Sequence, residues 1–202
     1  MDNLEKVWER IRNGRHTAVI GSLPAELPSS AGFYAVRVSG DGTKRALGPL
    51  LDARHHVEQQ LGGPLPILDQ AAERVWSGLR RRLLGEIPES LPGGAIVETL
   101  NRLRRQKDER WAVIFDAVES ADEDSLHLLR EMVTRPSWLQ VPLLLVFAGP
   151  EPEGLAAGLL NALTATDGAD ALVHIEPPEE EKLPTREPLP ASLHSLPAEV
   201  IA

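Results

Sequence analysis

The chain has 202 residues, a formal net charge of −9 and no cysteine. This length suits one α/β domain with a hydrophobic core and a short tail, and two full domains are not expected. The composition excludes disulfides, thiolate metal sites and cysteine nucleophiles, and with no long apolar run and no signal-peptide pattern we expect a soluble, cytoplasmic protein without a membrane partner.

The charge is distributed unevenly along the chain. Residues 1–115 contain 17 Lys and Arg against 14 Asp and Glu, a net +3, whereas residues 116–202 contain 4 against 16, a net −12. The acidic half disfavours general nucleic-acid binding, because phosphate contacts dominate that affinity. The basic residues form either solvated helix faces or contacts with an acidic partner, such as a second copy. The possible partner contacts are Arg80, Arg81, Arg82, Arg102, Arg104 and Arg105.

The first part of the chain predicts a helix and two strands with a short connection. Apolar residues at helical spacing predict a helix over 3–13, and apolar runs predict strands over 16–20 and 33–38. The residues between the strands include Pro28 and leave too little room for a helical crossover, which usually takes ten residues or more. An extended connection of this length reaches on the order of 40 Å, while crossing three strands takes about 15 Å. We therefore predict a bare loop.

Three helices are predicted between the second and third strands, over about 49–61, 68–83 and 95–107, with a loop over 88–94. This enlarged insertion is where we expect a partner-specific surface. His55 and His56 do not predict a metal site, because adjacent residues point about 100° apart on a helix and no third ligand lies nearby in the sequence.

A strand, an acidic turn and an amphipathic helix are predicted from Trp111 to Leu129. The five residues from Trp111 are apolar, as in a strand buried on both faces, and Asp116 ends that strand. Ser120 and Asp122 are both good N-cap residues, and Ser120 with Glu123 forms a capping box. An aspartate at the carboxyl end of a central strand lies where open α/β sheets bind ligands. Asp116 with Glu119 would hold a cation only weakly without a phosphate cradle.

The last elements are strands over 142–148 and 171–175, with a helix over 155–163 between them. Residues 177–202 contain six prolines and a run of glutamates, so this tail is expected to be disordered or to carry a short partner-binding motif.

The residues that follow the third strand carry a family resemblance. The stretch Asp116–Asp122, followed by Ser125-Leu126 and Leu128-Leu129, resembles the Walker B strand and following helix of the STAND and AAA+ branch of P-loop ATPases. The resemblance implies a three-layer α/β sandwich over residues 1–176, built on a five-stranded, mostly parallel sheet with strand order 5-1-4-3-2. In that family a second acid polarises the attacking water, and this position is Ala117 here. The family's polar sensor is also missing after strand 142–148.

The phosphate-binding loop of that family is lost. Walker A requires G-x-x-x-x-G-K-[ST], in which glycines admit the phosphates, lysine neutralises them and the hydroxyl holds magnesium. Counted from Gly21, these three positions are Glu26, Leu27 and Pro28. Glutamate repels phosphate, leucine supplies no cation and proline lacks the amide donor. The proline-rich tail also cannot supply a helical lid.

These features predict a non-catalytic pseudo-ATPase domain that regulates a protein partner as an inhibitor, escort or scaffold. No cofactor, metal or nucleotide is expected, and the protein could also be a homo-oligomer. Two alternatives stay open: an NTPase with an unconventional nucleotide site or one shared between subunits, and a nucleic-acid accessory protein that uses the arginine clusters.

Overall fold

A computed structural model describes residues 3–40, 45–63, 93–105, 109–135 and 137–175. These residues form an α/β fold with one all-parallel sheet of five strands and five α-helices. The strands are β1 (Thr17–Gly21), β2 (Tyr34–Ser39), β3 (Trp111–Asp116), β4 (Leu143–Phe147) and β5 (Leu172–Ile175). The helices are α1 (Asn3–Arg12), α2 (Gly48–Gln60), α3 (Gly93–Asn101), α4 (Glu123–Thr134) and α5 (Gly154–Asp167).

The strand order is β2-β3-β4-β1-β5. Read from the other edge, this is the order 5-1-4-3-2 that the family resemblance implied. The five predicted strands are confirmed within two residues at each end, and the sheet is fully rather than mostly parallel. Because all strands are parallel, the chain enters every strand at one edge, here the amino edge, and leaves at the opposite carboxyl edge.

The sheet is buried on both faces. Alternate residues of β3 point into two separate clusters, with Val113 and Phe115 in the larger one and Ala112 and Ile114 in the smaller one. Buried residues of α2, α3, α4 and α5 complete the larger cluster, while α1 contributes Val7, Trp8 and Ile11 to the smaller one. Burial on both faces explains why the central strands are continuously apolar.

The connection from β1 to β2 contains no α-helix. It holds one 3₁₀ turn, Ser29–Ala31, and otherwise crosses the sheet face as a loop. Leu23, Leu27 and Ala31 pack into the smaller cluster, and the Phe33 ring lies 5.7 Å from the Trp8 ring. The predicted bare loop is therefore confirmed, and its apolar side chains cover part of the face that a crossover helix would bury.

Two helix boundaries differ from the prediction. Helix α3 begins at Gly93, inside the stretch predicted as a loop, and a side chain at Gly93 would lie only 2.9 Å from Leu128 of α4. The helix predicted to reach residue 107 ends at Asn101, whose side chain bonds the carbonyl of Trp138 and the amide of Gln140. Tertiary contacts therefore hold the end of α3 at Asn101, and a local sequence pattern does not reveal them.

Several predicted features lie outside the described residues. They are the helix over 68–83, residues 106–107 of the helix predicted over 95–107, and the tail over 177–202. No α-helix in the described ranges combines the length and the apolar character needed to cross a membrane.

Candidate functional site

Asp116, the Walker B-like aspartate, is bound by an arginine from the neighbouring strand. Arg37 of β2 donates from Nε to Oδ2 of Asp116 at 2.5 Å and from Nη2 to Oδ1 at 2.9 Å. Two parallel bonds between a guanidinium and a carboxylate form a bidentate pair, which is stronger and more directional than a single contact. Arg37 is not among the site residues predicted from the sequence, although it is the one charged residue of β2.

The same guanidinium also binds the loop that follows β1. Nη1 of Arg37 donates to the carbonyl oxygens of Pro24 and Ala25, at 2.5 and 2.9 Å. A phosphate-binding loop presents backbone amides to an anion. This loop instead presents two carbonyl oxygens to a cation, so its local electrostatics are the reverse of a phosphate cradle.

Gly21 has a structural role. It is the last residue of β1, with φ of 125°, and a methyl group added there would lie 2.0 Å from the carbonyl oxygen of Ile175 in β5. Only glycine permits this conformation and this close approach of two backbones. The close pairing of β1 with β5 is therefore enough to explain why this position is glycine, without any role in binding phosphate.

The other three Walker A positions lie on the sheet face. Glu26, Leu27 and Pro28 line a groove of about 710 Å³ between the loop and β2, and Arg37 lines it as well. Leu27 packs against the smaller core cluster, while Glu26 and Pro28 are exposed. Arg37, which binds Asp116, therefore lines the same groove as these three positions. Of the three, only Glu26 is charged, and its charge is negative.

Ala117, at the position of the family's second acid, occupies a tight turn. Its backbone is left-handed with φ of 49°, and the amide of Gly40 donates to the carbonyl of Asp116 at 2.5 Å. A methyl group at Gly40 would lie 2.3 Å from the carbonyl oxygen of Ala117. The turns after β2 and β3 are therefore in direct backbone contact, and this position carries no carboxylate.

Glu119 fixes the end of β4. Its Oε1 accepts hydrogen bonds from the amides of Ala148 at 2.9 Å and Gly149 at 3.2 Å, while Oε2 is buried without a hydrogen-bond partner among the described residues. Glu119 and Asp116 therefore bind different protein groups. The described residues contain no cluster of three or more His, Asp or Glu side chains placed to hold a metal ion.

Asp122 is the N-cap of α4. Its Oδ1 accepts from the amides of Ser125 and Leu47, at 2.9 and 3.0 Å. Partial burial raises the pKa of Asp122, but the hydrogen bonds from Ser125 and Leu47 outweigh it and hold the pKa below its ordinary value. The predicted capping box at Ser120 is wrong, because Ser120 belongs to a 3₁₀ turn, Val118–Ser120, that ends before the helix.

The arginines proposed as partner contacts are only partly described. Arg102, Arg104 and Arg105 lie in a 3₁₀ helix at the amino edge of the sheet, whereas Arg80, Arg81 and Arg82 lie outside the described residues. Arg102 is half-buried and donates to the carbonyl of Gly63 at 3.4 Å. Arg104 is exposed and donates to Oε1 of Gln140 at 2.9 Å.

His16 is a buried structural residue at the amino edge. Its Nδ1 accepts a hydrogen bond from the amide of Leu143 at 3.0 Å, which links the entries of β1 and β4. Burial lowers the pKa of His16, and the negative charge of Asp167 offsets this only in part. His16 is therefore held in its neutral form.

No protein-family model matches this chain, and no curated protein matches it either.

Proposed function

We propose that this chain is a non-catalytic domain of P-loop NTPase type, a three-layer sandwich that has lost nucleotide chemistry and acts by binding a protein partner. The strand order and the Walker B-like stretch after β3 support the relationship to that fold. Inhibitor, escort and scaffold are the roles that such a domain can serve.

The bond between Arg37 and Asp116 carries this proposal. In P-loop NTPases the aspartate after the corresponding strand holds magnesium. Here the carboxylate is neutralised by a guanidinium, which also binds two loop carbonyls. A metal ion at Asp116 would have to displace this cation and break several charge-assisted hydrogen bonds.

Among the described residues, the groups around Asp116 offer no replacement for a phosphate-binding loop or a water-activating acid. The loop after β1 has a glutamate, a leucine and a proline where a phosphate site needs a glycine, a lysine and a hydroxyl. Ala117 cannot polarise a water molecule, because it has no acid or base. A protein with this site has kept the sheet and lost the groups that bind and cleave a nucleotide.

Thermal unfolding with and without magnesium-ATP or magnesium-ADP tests this proposal. We expect no change in the midpoint at millimolar nucleotide. A ligand at 100 times its Kd would add about 2.7 kcal/mol, which raises the midpoint of a domain of this size by roughly 5–10 °C.

The control is Asp116→Asn, which removes the carboxylate charge at the same position. A midpoint increase in the wild type that Asp116→Asn abolishes would contradict the proposal and favour an NTPase with an unconventional or shared site. Affinity capture from the native cell extract, with the full chain as bait, then tests the second half of the proposal, which fails if no protein is retained reproducibly.

A further inference from the structure

The parallel topology sorts charge between the two edges of the sheet. Segments that enter the strands carry an excess of arginine, and segments that leave them carry an excess of carboxylates. At the amino edge, the residues of the basic edge are Arg12, Arg15, Arg104, Arg105 and Arg110, which outnumber the carboxylates at that edge, Glu109, Asp167 and Asp170. At the carboxyl edge, the exposed residues of the acidic edge are Glu123, Asp124, Glu151 and Glu153. The asymmetry between the two halves of the sequence thus becomes a polarity in space.

Helix dipoles account for only part of this arrangement. Acids in the first turn of a helix and bases in the last turn are favoured by the macrodipole, and this explains Glu123 and Asp124 at the start of α4. It does not explain Glu151, which lies in the loop after β4, or Arg110, which directly precedes β3. These charges need another reason.

The basic edge contains a hollow of about 410 Å³ whose charged lining residues are Arg12, Arg104 and Arg110 together with one carboxylate, Glu109. Arg12 is held by Glu5 at 2.5 Å and by the carbonyl of Ser30 at 3.1 Å. The Arg110 guanidinium is exposed and makes no hydrogen bond or ion pair with any other described residue. Glu5 and Glu109 offset part of this charge, but the three arginines outnumber them, so the hollow keeps a net positive charge towards an incoming carboxylate.

An exposed aromatic pair lies beside this hollow. Tyr34 is 57% exposed, and within the described ranges it is the one large hydrophobic side chain that faces solvent to this extent. Its ring lies 5.3 Å from the ring of Trp111, and its amide donates to the carbonyl of Arg110 at 2.7 Å. Tyrosine, tryptophan and arginine are the residues that most often dominate binding energy at protein interfaces.

We propose that the basic edge is the docking surface for the acidic edge of a second copy of this chain. The two surfaces differ, so the contact is heterologous and copies associate head to tail, as rings or open chains. Nucleic acid is the less suitable occupant, because the whole chain carries a net charge of −9 and would repel a polyanion beyond the contact. The proposal goes beyond the proposed function and does not depend on whether a nucleotide binds.

Sedimentation velocity of the full chain over a range of concentrations tests the proposal. In about 0.01 M salt the Debye length is about 30 Å, and in about 1 M salt it is about 3 Å. We expect the sedimentation coefficient to rise with protein concentration at low salt and to stay at the monomer value at high salt. A monomer at every concentration in low salt overturns the proposal.

Two charge-reversal variants locate the contact. Arg104→Glu/Arg110→Glu reverses the basic edge, and Glu151→Lys/Glu153→Lys reverses the acidic edge. Each variant alone should associate at least about tenfold more weakly, because like charges then face each other, and an equimolar mixture should recover association. Circular dichroism of both variants would check that they fold. Lys6→Glu, on an exposed part of α1, is the control for a change in net charge away from the two edges.

The same variants also distinguish a second copy of the chain from other binding partners of the basic edge. If the acidic-edge variant associates as well as the wild type, the second copy does not use that edge and the proposal fails. If the wild type stays monomeric but is retained on heparin or a single-stranded oligonucleotide, and Arg104→Glu/Arg110→Glu is not, the basic edge binds polyanions instead. That result would also overturn the proposal.

Discussion

Arg37 joins three parts of the molecule that are distant in sequence. It lies on β2, its carboxylate partner lies at the end of β3, and its two carbonyl partners lie in the loop after β1. Both side chains of the ion pair are 27% exposed, so solvent weakens the pair without removing it. The hydrogen bonds to fixed carbonyls add directionality that an isolated surface pair lacks.

We predict that Arg37→Ala lowers the free energy of unfolding by about 1–3 kcal/mol, because the charged carboxylate then loses its donors. Urea denaturation of the two single variants, Arg37→Ala and Asp116→Ala, and of the double variant gives the coupling energy. Arg37→Lys keeps the charge but not the bidentate geometry, and it should recover only part of the loss. A coupling energy near zero would contradict this account of the pair.

The buried His16 predicts a pH-dependent stability. Because burial lowers its pKa in the folded state, the unfolded chain binds a proton at His16 that the folded chain does not bind once the pH falls below about 6.5. The free energy of unfolding should therefore fall as the pH decreases from about 6.5 towards the lowered pKa, and this contribution should be constant above about pH 7.5. Urea denaturation across this range measures the slope.

His16→Asn is the matched variant for this prediction. The Asn side chain has an oxygen that can accept the hydrogen bond from Leu143, but it does not titrate. The slope between about pH 6.5 and 5 should be smaller in this variant than in the wild type. An identical slope in both proteins would show that other groups cause the pH dependence.

At the scale of elements, the start of α4 shows how one side chain orders two segments. Asp122 caps α4 through the amide of Ser125 and also binds the amide of Leu47, just before α2. Leu47 has a left-handed backbone with φ of 60°, an unfavourable conformation for leucine. The hydrogen bond that the Leu47 amide donates to Asp122 helps to hold that conformation.

We predict that Asp122→Ala lowers the free energy of unfolding by about 1–2 kcal/mol, because it removes an N-cap and the bond to Leu47. Since the pKa of Asp122 is lowered in the folded state, its contribution is present above the ordinary aspartate pKa and is lost as the pH falls through the lowered value. Thermal or urea denaturation of Asp122→Ala measures the change at neutral pH.

Ser120→Ala is the matched control, since the sequence pattern made Ser120 an equally good cap. Ser120 is exposed and precedes the helix, so its replacement should change stability by no more than about 0.5 kcal/mol. Equal losses in both variants would restore Ser120 as a cap and contradict the structure.

At the scale of the whole molecule, the sheet and its two clusters explain how β1 and β2 can be connected without an α-helix. The larger cluster is covered by four α-helices, so most of the core does not depend on the β1–β2 connection. On the other face, α1 and the apolar residues of the loop cover the strands. A loop can cover this face because the smaller cluster is shielded from water by α1 together with a few apolar side chains of the loop.

The same topology determines where charge lies. Parallel strands place every entry at one edge and every exit at the other, so a bias in the loops becomes a polarity of the whole domain. The arginines before β3 and the glutamates after β4 belong to different segments of the chain. Their separation onto opposite edges is a property of the fold.

Much of the fold follows from local pattern. Runs such as Trp111–Phe115 are apolar because their strand is buried on both faces, and that requirement is visible without a structure. The bare loop follows from chain length and Pro28, and the residue types at Glu26 and Leu27 show directly that the Walker A pattern is not present after Gly21. These features depend on a residue and its sequence neighbours.

Tertiary structure decided the rest. Only the adjacency of β2 and β3 reveals that Arg37 neutralises Asp116, and only the approach of β5 explains why Gly21 must be glycine. The choice of Asp122 over Ser120 as the cap also depends on a partner 75 residues away. Hydrophobic periodicity and turn-forming residues act between sequence neighbours, so they can be recognised in the sequence. Hydrogen bonds and ion pairs between distant segments form only when the sheet places those segments side by side.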